Sequence, residues 1–238
     1  MKITEESMVG EIVASDYRTS TEFKKHSIDF CCNGNKTIKE ACENKPIETN
    51  RLIGSLIEIT STSKESETNF SSWDMDLLAD YIEKKHHRYV ESRIPEIKAH
   101  LKKVVSVHGC NHPELIEIEK HFLDSAEELT KHMKKEELIL FPYIRKLAIA
   151  STPITPPFGT VENPIDMMMK EHDNEGERFR LIADLSNNYT PPEEACATYT
   201  VAFALLKEFE EDLHKHIHLE NNILFPKAIT TERQKIQS

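Results

Sequence analysis

Glycine is scarce in this chain, at six of 238 residues, and proline stands at only eleven. Helix interiors tolerate few of either, so the composition points to a mostly helical, soluble protein. No apolar run approaches the roughly 20 residues that a membrane span needs. The opening MKITEESMVGEI has no apolar core of the kind a secretory signal carries. Positive charge is in deficit, with 30 Lys and Arg against 41 Asp and Glu and a formal net charge of −11. Such a surface repels phosphate backbones, so neither nucleic acid nor an anionic membrane is an expected partner. Cysteine occurs five times, at Cys31, Cys32, Cys42, Cys110 and Cys196. An odd count with two adjacent residues argues for reduced thiols in a cytoplasm and against a disulfide framework.

What the chain does have is organisation on a helical period. Its length fits one large domain or a small one followed by a medium one. The Ser/Thr-rich stretch TSTSKESETNFSS, residues 60–72, lacks apolar periodicity and reads as a linker between a small helical domain, 1–59, and a bundle, 73–230. Helices are expected over Met8–His26, Thr37–Asn44 and Thr49–Ile59, with Thr37 and Glu40 forming a capping box. A segment of this size is marginal alone, so it should pack on its own bundle or on a second subunit. Four amphipathic stretches follow, from Asp74 to Val107, Pro113 to Ala148, Glu162 to Asn187 and Pro191 to Phe225. Pro95 sits inside the first and is placed to kink it. Together they predict an all-α, up-down four-helix bundle.

The chemistry lies in an internal repeat. EELTKHMKKEELILFP, from Glu127, and EDLHKHIHLENNILFP, from Glu211, agree at nine of sixteen positions. Each contains H-x-x-x-E, which stacks His132 over Glu136 and His216 over Glu220 on one helical face. Leu115, Ile118, Phe122, Leu129, Ile139 and Tyr143 continue the first face. Leu206, Phe209, Leu213 and Ile223 continue the second. Ionised Glu on an apolar face costs several kcal/mol, roughly, unless paired or bound to a cation, and these stripes hold no Lys or Arg. Metal ions answer both needs. The matching inward groups on the other two helices are His172 and His87, 44 and 45 residues before His216 and His132. His86 shares a more polar face with Arg93 and His100, so His87 is preferred.

The predicted ligands are therefore His87, His132, Glu136, His172, His216 and Glu220, with the two Glu as bridges. Mixed N/O donors with open positions favour non-haem iron over manganese or zinc. A buried His–Glu hydrogen-bond pair in each repeat is the plainer alternative. His26, His100, His112, His121, His214 and His218 are expected at the surface or at helix ends, and Met167 to Met169 in the core. His108 is the candidate extra group. Glu128 and Glu171 are candidates to orient ligands or to line an iron or proton path. Cys31 and Cys32 precede the capped helix, whose N-terminus favours thiolate. They suit redox exchange or iron transfer, although adjacent thiols do not easily share one tetrahedral ion. Cys42, Cys110 and Cys196 are expected to be structural.

The motifs IDFCCNG, HMKKEELILFP, KEHDNEGE and HIHLENNILFP closely resemble those of the iron–sulfur cluster repair di-iron proteins, over nearly the whole chain. Asn33 departs from that pattern, standing where many members have Gly. The resemblance implies a short Cys-Cys module before a hemerythrin-like bundle, and a non-haem, oxo-bridged pair of irons held at the six positions above. It implies repair of clusters damaged by nitrosative or oxidative stress, damaged Fe–S proteins as partners, and a cytoplasmic, often dimeric protein. Two other readings compete with iron delivery: O₂ or NO binding and sensing, and NO reduction at the two irons.

Overall fold

Four rods of helix carry most of the chain in a computed structural model that describes residues 2–43, 45–62 and 68–237. The first rod joins α5, Met75–Tyr81, to α6, Arg88–His108; the second joins α7, Glu114–Lys135, to α8, Phe141–Ile149. The third is α9, Glu162–Leu185, and the fourth joins α10, Ala197–Leu219, to α11, Phe225–Gln237. α6 packs on α7 and α10, α7 on α9, and α5 on α8, which makes neighbouring rods antiparallel and closes an up-down bundle. Phe122, Phe179 and Phe209 are fully buried and meet ring to ring at 5.4 and 5.6 Å. Truncating Phe209 to Ala would cost ~3–5 kcal/mol.

Three rods are interrupted by a wide π-turn, at Ile82–His87, Glu136–Leu140 and Glu220–Leu224. A π-turn inserts one residue into the helical ladder and re-aims the side chains after it. This corrects two expectations. Ile139 does not continue the inward stripe and is 52 % exposed, while Leu140 and Phe141 turn inward in its place. His86 is not on a polar face but buried at 1 % exposure, because the turn at its position brings both it and His87 inside.

The N-terminal segment folds as α1, Val9–Ser15, α2, Thr19–Lys25, α3, Ile38–Cys42, and α4, Thr49–Ser61. The helix expected over Met8–His26 is thus broken, at Asp16, whose carboxylate binds the Arg18 side chain and amide. The Thr37–Glu40 capping box is present. The segment packs on its own bundle, with α1 against the turn at Glu220–Leu224 and its apolar core continuous with that of α6, α7 and α10. Gly10 and Gly34 make this seat: a Cβ on either would fall 2.3 or 2.4 Å from Asn222 Oδ1. Tyr17 and Phe30 cover His218 at 5.6 and 6.0 Å, so His218 is buried and not at the surface as expected.

Other boundaries also shift. α4 runs to Ser61, and Phe70–Ser72 forms a 3₁₀ turn whose Phe70 packs on Trp73 and Tyr81, so both ends of the expected linker are ordered. Residues 63–67 of that linker, and Asn44 at the end of the expected Thr37–Asn44 helix, lie outside the described residues. The fourth rod begins at Ala197, not Pro191, and continues past Phe225 to Gln237. Pro95 lies inside α6, which runs through it. No helix among the described residues is long and apolar enough to cross a membrane.

Candidate metal centre

Each of the four rods contributes one histidine to a common buried cluster of donors, and the second and fourth each add a glutamate. His87 ends the first π-turn, while Glu136 and Glu220 open the other two. The donors form two tetrads: His87, Glu136, His216 and Glu220, and His132, Glu136, His172 and Glu220. Within each, the donor atoms lie inside 4.8 Å of one another, and all the residues are buried. Glu136 Oε2 lies 3.4 Å from His87 Nε2 and 3.3 Å from His132 Nε2. Glu220 offers Oε1 to His216 at 3.1 Å and Oε2 to His172 at 3.2 Å. The two groups share both carboxylates, and each could hold a cation.

Outer contacts fix the rings. His87 Nδ1 faces Glu137 at 3.1 Å, His132 Nδ1 faces Glu171 at 2.8 Å, and His172 Nδ1 faces Asn221 Oδ1 at 2.9 Å. An acceptor at Nδ1 places the proton there and turns the Nε2 lone pair inward, which is how imidazole ligands are oriented. Behind His216 the arrangement differs: His86 stacks on it at 5.7 Å and binds Asp212 through Nδ1.

The electrostatics follow from burial among charges. Burial opposes ionisation of Glu136 and Glu220, and Glu136 also feels Glu220, yet their histidines hold both below the usual carboxylate range. Burial likewise opposes charge on His132, but Glu136 and Glu171 outweigh it and raise the ring to about 10. His87 is raised for the same reason, whereas burial wins at His216 and lowers it. Glu171, bonded to His132 and Lys135, is lowered to about 2. A cation fits this set: His87 Nε2, both Glu136 oxygens and Glu220 Oε2 are buried without a hydrogen-bond partner. Leaving such atoms unmatched costs ~1–3 kcal/mol each, more for charged ones.

Residues 78–228 match the hemerythrin HHE cation-binding domain, and residues 5–60 match ScdA_N, a domain of unknown function. The chain is 31 % identical to iron-sulfur cluster repair protein ScdA of Staphylococcus haemolyticus over 225 residues, 94 % of this chain and 99 % of that one. It is 33 % identical to iron-sulfur cluster repair protein YtfE of Escherichia coli O81 over 224 residues, 94 % and 97 % of the two chains. The chain belongs to the iron–sulfur cluster repair family of hemerythrin-like proteins.

In this member of the family, one tetrad opens to solvent. His132 and His172 line a cleft of ≈ 450 Å³ whose walls include Asp124, Glu128, Glu171, Glu175 and Glu177. Glu171 touches a candidate ligand; Glu128 does not, being half exposed and paired with Lys131, and only lines the cleft. His108 is not part of the centre. It ends the 21-residue α6, which begins beside His87, so the two stand about 31 Å apart along the helix. There it meets Cys196 Sγ at 3.2 Å.

Cys31 and Cys32 do lie beside the centre: Cys32 Sγ is 3.4 Å from the His172 carbonyl, and Asn221 Nδ2 donates to the Cys31 carbonyl at 3.2 Å. The Cys31 thiol is not the activated thiolate expected, because Cys32, burial and Asp29 all push it well above the ordinary thiol range. Helix α3 begins only at Ile38 and has five residues, too far and too short to offset them. Asn33, at the family's Gly position, donates to Asp29 at 2.8 Å and is not among the positive-φ residues, so the loop does not need Gly there. Cys110 and Cys196 are exposed, Cys196 against His108, while Cys42 is buried.

Proposed function

We propose that this chain holds two iron ions, oxo-bridged when oxidised, on His87, His132, Glu136, His172, His216 and Glu220, and repairs iron–sulfur clusters damaged by nitrosative and oxidative stress by delivering iron. The relatives it resembles are named iron-sulfur cluster repair proteins, which supports the repair part of this reading. The observation that carries the delivery step is the unequal access of the two tetrads, since only His132 and His172 face the acidic cleft.

The chain's own groups account for binding and release. Glu137, Glu171 and Asn221 orient three rings. The second and third rods line the way from solvent to His132 and His172 with Asp124, Glu128, Glu171, Glu175 and Glu177, of which Glu128, Glu171, Glu175 and Glu177 are held by Lys131, Lys135, Arg178 and Arg180. The Glu171–His132 contact favours a proton on that imidazole, so protonation competes with the cation at the open tetrad. Iron, when bound, supplies a labile ion for a cluster-deficient acceptor protein.

The test is reconstitution. Purified protein should carry about two irons and reactivate an NO-damaged cluster enzyme faster than the same amount of free ferrous iron. Equal rates would remove the delivery role. Reversible O₂ binding by the reduced protein, or turnover of NO to N₂O, would replace it with the competing readings.

A further inference from the structure

Beside the dinuclear centre, the N-terminal segment gathers a second kind of donor set. Asp29 Oδ1 accepts from the amides of Cys31 and Cys32 at 3.1 and 3.0 Å and lies 3.3 Å from Cys31 Sγ. Its Oδ2 accepts from Asn33 Nδ2 at 2.8 Å and Arg180 Nη1 at 3.1 Å. Four N–H groups therefore hold the carboxylate in place. The two thiol sulfurs stand 3.8 Å apart. Two thiolates on one tetrahedral ion, at metal–sulfur distances of about 2.3 Å, would stand about 3.8 Å apart. The adjacent cysteines thus already have the bite that the sequence alone argues against.

We propose that Asp29, Cys31 and Cys32 form a third cation site, mononuclear and thiophilic, which takes one divalent ion beside the open tetrad. Two sulfurs and one oxygen leave a fourth position free, as in sites that exchange or transfer their ion. Charge agrees: three ionised donors against the Arg180 guanidinium leave two negative charges for a dication to neutralise. Binding would release both thiol protons to solvent and needs no oxidant. Cys32 is seated where α9 has Gly176, since a Cβ there would come within 3.1 Å of its sulfur. That glycine is one turn beyond His172, and Asn221 joins the two sites by donating to the Cys31 carbonyl and accepting from His172 Nδ1. On the iron-delivery reading, and resting on it, the occupant is ferrous iron leaving the open tetrad.

The test uses Co²⁺ added without oxygen to the full-length protein with its dinuclear centre already filled. One further cobalt per chain should bind, with thiolate-to-cobalt charge-transfer absorption and protection of both thiols from alkylation. Cys32→Ser should abolish the absorption, and Asp29→Asn should weaken binding roughly tenfold or more. Cys110→Ser, on an exposed thiol outside the site, should change nothing. The parent protein decides the matter even if a variant misfolds: unchanged alkylation rates with cobalt, or no charge-transfer band, would overturn the site. A Cys32→Ser protein that keeps its dinuclear cations and still shows the band would also overturn it. If the band appears but iron-loaded protein fails to reactivate a damaged enzyme, the third site stands and iron delivery falls.

Discussion

The two tetrads share Glu136 and Glu220, yet they sit in different surroundings. His132 has the carboxylate of Glu171 behind it, and the residue in Glu171's place on the first rod is His86, which stacks on His216 and hands its hydrogen bond to Asp212. His216 Nδ1 is left buried without a partner. The open tetrad, of His132 and His172, therefore faces a solvent cleft with Glu171 behind one ring, whereas the closed one has Glu137 behind His87, a ring stack behind His216, and neither histidine in that cleft. Duplication supplied equal donors; what stands behind them makes one half a candidate for exchange and the other for retention.

The harshest way to break this pairing is to remove a shared carboxylate. Glu136→Ala should take both cations, reducing metal content from about two per chain to near zero, because each tetrad drops to three donors. Any oxo-bridge absorption should vanish with them; a variant that keeps two metals would refute the bridging role. Removing one histidine should instead separate the halves. His132→Ala should lose the open cation and keep the closed one, and His216→Ala should do the reverse, read as one metal per chain in each. Rapid chelation of the remaining ion in His216→Ala, and slow chelation in His132→Ala, would express the difference in access. Equal rates would deny it. A milder change acts on orientation: Glu171→Gln should weaken the open site by about 10–100-fold and leave the closed one unaltered, measured by competitive chelator titration.

The meeting of the six candidate residues was legible because the repeat states the His–Glu pair twice and spacing adds His87 and His172. Of their outer contacts Glu171 was anticipated, while Glu137 and Asn221 were not, although the same repeat holds their signal. The residue after each shared glutamate, Glu137 and Asn221, bonds the Nδ1 of a histidine on another rod, His87 and His172. One position later the copies differ in role as well as identity, and that difference marks where the N-terminal segment lands. Leu138 is 73 % exposed, while Asn222 is covered by Gly10 and Gly34 and donates to the Phe30 carbonyl. Ile139 and His86 were misplaced because a 3.6-residue period has no room for a π-turn, and each of these turns occurs at a candidate ligand. His108, the expected extra group, lies at the far end of α6 from His87, so its distance along the helix removes it from the site. The Cys31 environment depends on Asp29 and Cys32 folding back together, which no periodicity reports.

Acidity gives the smallest and most selective handle on the two halves. Without metal, His132 is raised from about 6.5 to about 10, so its proton must leave before a cation can use Nε2. Affinity at the open tetrad should therefore climb with pH, by about tenfold per unit for the proton displaced, and flatten near pH 10. Stability of the metal-free fold should run the other way. A histidine whose folded pKa is raised contributes fully below its unfolded value and loses that contribution as pH rises from about 6.5 through 10. Thermal melts of metal-free protein should fall across that window, while cation-loaded protein should not. Glu171→Gln removes one of the contacts that raise His132, so the pH at which affinity flattens should move below 10 at the open tetrad alone. An equal movement at both tetrads would mean that the two histidine environments are not independent.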